Sequence, residues 1–159
     1  MTYERFEQLP VWQAAMELAV KTYAMSKRPA LRRERSLRDQ IERAAVSVSN
    51  NIAEGFERGT TQELLTFLYI ARGSAGEVRS MLCLLERLEG FDDLKSEISN
   101  LKSLAESASR QLRAWADSLQ NSKITGQRYL TEKARRADTA RKDREEFLQR
   151  LERIRKGEE

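Results

Sequence analysis

Residues 94–119 read LKSEISNLKSLAESASRQLRAWADSL. Within them Leu94, Ile98, Leu101, Ala105, Ala108, Leu112, Trp115 and Leu119 follow one another at steps of 4, 3, 4, 3, 4, 3 and 4. Such steps put all eight side chains on one side of an α-helix. The resulting apolar seam suits packing at shallow angles in a bundle. A strand repeats every two residues and would scatter the same side chains over both faces. A helix with one apolar seam is stable only against partners, so the rest of the chain must supply them.

Upstream, Thr60 and Glu63 fit a capping box that opens a helix reaching about Leu88 through Leu64, Phe67, Leu68, Ala71, Val78, Met81, Leu82 and Leu85. Gly90 closes it. Gly73 and Gly76 fall mid-helix, at a cost of roughly 1 kcal/mol each against alanine, and imply that another segment approaches closely there. Before it, a helix with Ser36 as N-cap carries Leu37, Ile41, Ala44, Val48, Ile52 and Phe56, and Gly55 and Gly59 flank its end. The first helix is predicted over about Pro10 to Lys27, with Trp12, Ala15, Met16, Ala19, Val20 and Tyr23 at helical spacing and Pro29 as its stop. Between the first two helices lies an arginine-rich linker with Arg28, Arg32, Arg33, Arg35 and Arg38. Short connections make consecutive helices antiparallel. The expected fold is therefore all-α: an antiparallel, up-down-up-down four-helix bundle over 1–120. A linker and a charged, partly helical tail follow over 121–159, with Phe147, Leu151 and Ile154 as the tail's apolar stripe.

Composition agrees. Apolar residues make up 40% of the 159 and charged residues 34%, with only two prolines, a balance that suits a folded helical protein. No apolar run is long enough to span a membrane, and no secretory signal is visible at the start. Cys83 is the single cysteine, which reads as a small packing residue in a reducing, cytoplasmic setting. Residues 1–119 hold 17 cations and 17 acids, whereas 120–159 hold 12 against 8, the whole formal surplus of +4.

The chain has no histidine. That removes the commonest general base near neutral pH, His-containing metal sites and the usual nucleophile triads. One cysteine cannot build a structural zinc site, and no glycine-rich phosphate loop occurs. No catalytic residue, metal or cofactor is expected, and no small-molecule substrate.

Ser47 to Arg58 is the unusual segment. Adjacent Asn50 and Asn51 are unfavourable inside a helix, because their side chains compete for backbone hydrogen bonds. Asn51 and Glu54, with Gly55 and Ser74, read either as a structural polar motif bonded to a neighbouring helix or as a surface that recognises a partner. The linker arginines, with Lys133, Arg135, Arg136, Arg141, Lys142 and Arg144 in the tail, are the candidate nucleic-acid contacts. Guanidinium forks match phosphates, but Tyr129 and Phe147 are almost the only aromatics available in the tail for base stacking. A solvated charged surface is the competing reading.

The chain resembles the bacterial four-helix bundle proteins of the 23S rRNA intervening-sequence family, whose relatives include accessory proteins of diversity-generating retroelements. The resemblance is carried by Phe6, Leu9, Val11-Trp12 and Ala15, then Leu37, Gln40, Arg43-Ala44-Ala45, Val48 and Asn51-Ile52-Ala53-Glu54-Gly55. Phe67-Leu68, Ile70-Ala71, Gly73-Ser74 and Glu77 complete it. Ser49-Asn50 departs from the proline-serine often found in that family, which implies a straighter second helix. The resemblance implies a homopentamer. In the retroelement accessory proteins it implies binding of RNA and a reverse transcriptase through basic surfaces. Leu65, Tyr69 and Leu84 exceed one seam and agree with a further apolar partner. The functional expectation is a non-catalytic oligomer that engages RNA or a ribonucleoprotein, a reverse transcriptase complex among the candidates. The alternative is a protein–protein adaptor without nucleic-acid contact.

Overall fold

The computed structural model describes residues 3–121, 140, 143–150 and 152–154. The chain divides into two units, Met1–Gly126 and Gln127–Glu159. In the first unit a 3-10 turn over Phe6–Gln8 precedes α1 (Pro10–Ser26), α2 (Pro29–Arg33), α3 (Arg35–Glu57), α4 (Thr61–Leu85), a second 3-10 turn over Asp92–Leu94, and α5 (Lys95–Gln120). Helix α1 packs on α3 and α5, α3 on α4, and α4 on α5. The four long helices thus close a ring in chain order around one core. In the second unit the described residues 140, 143–150 and 152–154 are helical.

The seam of α5 behaves as its spacing requires. Leu94, Ile98, Leu101, Ala105, Ala108 and Leu112 are buried. At its end the register drifts: Trp115 and Leu119 are only partly buried and Ala116 takes the core position. A straight helix of 3.6 residues per turn rotates away from a strict heptad in this way. Helix α4 opens on the expected capping box. Thr60 Oγ1 accepts from the Glu63 backbone N–H at 3.2 Å and donates to Glu63 Oε2 at 2.8 Å.

Three expectations need correction. Val20 and Tyr23 do not enter the core: they are 61% and 42% exposed, and Leu18, Thr22, Met25 and Ser26 are buried instead. Helix α1 is apolar nearly all round, so its spacing does not say which side faces inward. The buried hydroxyls have acceptors in reach: Thr22 donates to the Leu18 carbonyl at 2.8 Å, and the single Ser26 proton lies between the Tyr23 carbonyl, at 2.9 Å, and the Glu42 carboxylate. Ser36 is not a cap; it lies inside α3, whose N-cap position is Glu34, with no side-chain cap bond.

The glycines are the third correction. Gly55 is not a terminator but a buried residue within α3. A Cβ there would lie 2.7 Å from the Phe67 Cβ and 3.2 Å from a Leu64 methyl, so Gly55 is what lets α3 and α4 meet. Gly73 and Gly76, expected at a close approach, have nothing within 4 Å of a built Cβ. Gly90, after α4, is the one described residue with positive φ, at 86°, where a side chain would be strained.

Candidate nucleic-acid interface

The arginine-rich stretch is not an irregular linker. Pro29 occupies the first turn of α2, where its missing N–H costs nothing, and the backbone breaks out of helix at Glu34 (φ −92°, ψ 71°) before α3 begins. A five-residue helix has no stability of its own. It is held because Leu31 is fully buried in the bundle core, a burial that contributes about 1.5–3 kcal/mol. With Leu31 turned inward, Arg32 and Arg33 are exposed, as are Arg28 before them and Arg35 after them.

These five arginines are not equivalent. Arg28 pairs across the bundle with Glu97 of α5 at 3.3 Å. Arg38 is the least exposed and forks onto Asp39, with Nη2 at 2.8 Å and Nε at 3.1 Å from Oδ1. That hydrogen-bonded guanidinium holds the Asp39 carboxyl below its ordinary range, with the charges of Arg35 and Arg43 adding to the pull against partial desolvation. Arg32, Arg33 and Arg35 make no ion pair among the described residues, and neither does Arg43. Elsewhere on the bundle most cations are engaged: Lys21 with Glu17, Arg58 with Glu54, Lys95 with Asp92, Lys102 with Glu86, and Arg110 with Glu106.

Between the end of α1 and the start of α3 a cleft of about 400 Å³ opens beside α2, lined by Tyr23, Ser26, Lys27, Arg32, Arg38 and Glu42. The hydroxyl of Ser26, buried at its floor, donates to Glu42 Oε1. Tyr23, Lys27, Glu42 and Arg43 are not among the candidate nucleic-acid contacts taken from the sequence. Arg43 had a legible signal, since Arg35, Asp39 and Arg43 are spaced four apart on α3.

The polar motif is wired differently from a direct helix-to-helix link. Asn51 Nδ2 donates to the Ser47 carbonyl at 2.7 Å and to Ser47 Oγ at 2.9 Å. It is Ser47 Oγ that reaches Ser74 Oγ on α4, at 2.9 Å. Glu54 stays on its own helix and pairs with Arg58 at 2.6 Å. The Arg58 guanidinium in turn lies 5.1 Å from the centre of the Phe67 ring, a cation–π distance. Within this motif the links from α3 to α4 are Ser47 to Ser74 and the close approach at Gly55, while Asn51 bonds to Ser47 and Glu54 to Arg58.

Of the tail candidates, Lys133, Arg135, Arg136, Arg141 and Lys142 lie outside the described residues, as do Tyr129 and Leu151. Arg144 is described, exposed and helical. Cys83 is free and half-buried. Among the described residues no group of His, Cys, Asp and Glu could hold a metal ion, and no helix is long and apolar enough to cross a membrane.

Residues 7–114 match the family model described as 23S rRNA-intervening sequence protein. Among solved structures, the chain is similar to a crystal structure from Bacteroides thetaiotaomicron, a protein of unknown function from the S23 ribosomal protein family. The TM-score is 0.60 at 23% identity, over 67% of this chain and 97% of that one. No curated protein matches.

Proposed function

The chain belongs to the 23S rRNA-intervening sequence protein family, and we propose that it is a non-catalytic, homo-oligomeric protein that engages RNA or a ribonucleoprotein through the face built by α2 and the start of α3. The observation that carries this reading is the set of exposed guanidiniums of Arg32, Arg33, Arg35 and Arg43, none of them ion-paired among the described residues. Between residues 27 and 43 seven cations stand against three acids. Most other bundle cations have a carboxylate partner, so this face is where a polyanion gains most and displaces least. A reverse transcriptase bound to its RNA is one ribonucleoprotein of the required chemistry.

Self-association is supported by α4. Tyr69, Ile70, Leu84 and Leu88 are exposed apolar side chains on or just beyond this helix, and the open Gly73 and Gly76 lie between them in sequence. A helix apolar on two sides has a second partner, and a further copy of the chain supplies it most simply. Five copies is the number the family resemblance implies.

The test is the salt dependence of binding to a structured RNA, with mass by light scattering in the same buffers, for the chain and for Arg32→Ala/Arg33→Ala/Arg35→Ala. Each phosphate deprived of its guanidinium should flatten the log–log salt slope by about 0.7–0.9, so the slope of the triple variant should fall by about 2–3. An unchanged affinity and slope removes this face from the reading. Absence of RNA binding by the parent chain favours the adaptor reading, which the exposed Phe147, Leu148 and Ile154 support.

A further inference from the structure

We propose that the cleft between α1 and α3 is a nucleotide subsite, taking one stacked base and its phosphate from a single-stranded stretch of RNA. The inference rests on the RNA-binding reading and assigns it a place and a mode.

Three observations converge on this cleft. Its rim is cationic, with Lys27 and Arg32 exposed and Arg38 partly so. Its rim also carries a large aromatic ring in solvent, since Tyr23 is 42% exposed. Its floor is of opposite character: buried Ser26 is hydrogen-bonded to Glu42 Oε1, while Oε2 of the same carboxylate makes no hydrogen bond among the described residues.

A bare phosphate matches only the rim, because the Glu42 carboxylate repels a second anion at the floor. A neutral aromatic compound matches only Tyr23. A nucleotide matches all of it at once. Its base has a π-face for the tyrosine ring and N–H donors for the free Glu42 oxygen, and its phosphate falls among Lys27, Arg32 and Arg38. The opposed charges of floor and rim therefore orient the ligand, base inward and phosphate outward. A volume of about 400 Å³ lies within the usual range of small-ligand pockets, roughly 300–1,000 Å³. Stacking on aromatic side chains is how unpaired bases are commonly held, and it tolerates any sequence. Arg33, Arg35 and Arg43, exposed on the same two helices that supply Arg32, Arg38 and Glu42 to the cleft, offer charge for further phosphates of the strand.

The proposal is tested with the full chain and a 5′-fluorescein-labelled single-stranded RNA, by anisotropy over a salt series. Tyr23→Ala should weaken binding about 5- to 150-fold, the fold-change expected when one base stack is removed, with the salt slope unchanged. Tyr23→Phe should bind like the parent. Arg32→Ala/Arg38→Ala should flatten the slope by about 0.7, because both line the single phosphate of the subsite and each neutralised phosphate on a single strand contributes about 0.7. A ribonucleoside monophosphate should displace the RNA at concentrations where inorganic phosphate does not. Far-UV circular dichroism confirms that each variant is folded. If Tyr23→Ala binds like the parent while Arg32→Ala/Arg33→Ala/Arg35→Ala still loses affinity, the basic face stands and the subsite is refuted. If inorganic phosphate competes as well as the nucleotide, the subsite is again refuted. If the parent binds no RNA at moderate salt, both readings fall together.

Discussion

Alanine at position 55 should destabilise the bundle, although alanine is the better helix former. The built Cβ would sit 2.7 Å from the Phe67 Cβ, 3.2 Å from Leu64 Cδ1 and 3.4 Å from the Leu64 carbonyl oxygen. The first of these neighbours is one bond from the α4 backbone, so no flexible side-chain end can yield. Restoring ordinary contact at 3.4 Å requires α3 and α4 to part by roughly 0.7 Å. Overpacking of this kind costs about 1–3 kcal/mol. A contact this short argues for the upper end, about 3 kcal/mol, and the helix propensity of alanine returns about 1. The net loss should be about 2 kcal/mol, a fall in Tm of about 4–8 °C for a chain of this size. Gly73→Ala and Gly76→Ala are the controls. With nothing within 4 Å inside the protomer, each should stabilise the unassembled protomer by about 0.5–1 kcal/mol through propensity. Urea unfolding followed by circular dichroism measures all three, at one fixed protomer concentration because assembly couples to stability. If Gly55→Ala matches the parent midpoint with an unchanged m-value, the close approach of α3 and α4 is not what position 55 serves.

Two further outcomes follow from the buried and ion-paired groups. Thr61 Oγ1 is buried without a hydrogen-bond partner among the described residues, so Thr61→Val should stabilise by about 1 kcal/mol and raise Tm by about 2–4 °C in a thermal melt. A lower Tm would mean that the hydroxyl does have a partner in the assembled protein. The carboxyls of Asp39, Asp92 and Glu7 are all held below their ordinary range, chiefly by hydrogen bonds from Arg38, Lys95 and Arg5. A depressed folded value favours the folded state above the unfolded pKa, so their contribution is complete above about pH 5 and is lost as the pH falls below about 4. With no histidine in the chain, the melting temperature should be flat between about pH 6 and 7. A step in that interval would contradict this assignment of the titrating groups.

What could be read without coordinates was whatever is periodic and local. The steps from Leu94 to Leu112 specify the inner side of α5 because polar residues fill its other sides. The capping box at Thr60 and Glu63 marks the start of α4 because its bonds join residues three apart. Pro29 ends α1 because of its own ring. The all-α class, the four long helices and the arginine-rich segment follow from the sequence by these rules.

Only the tertiary structure decided the rest, and in each case the reason is a distant neighbour. Helix α1 is apolar nearly all round, so packing against α3 and α5 had to choose Leu18 and Met25 for the core and leave Val20 and Tyr23 in solvent. Helix α2 is too short to show a period and exists through the burial of Leu31. Gly55 and Gly73 are both helical glycines, yet the first lies against Phe67 and the second against nothing, a difference no local pattern encodes. The cleft joins Tyr23, Ser26 and Lys27 to Arg38 and Glu42 from 11 to 19 residues further along the chain. Its charged rim and acidic floor exist because α1 and α3 meet there, and local spacing carries no information about which helices meet.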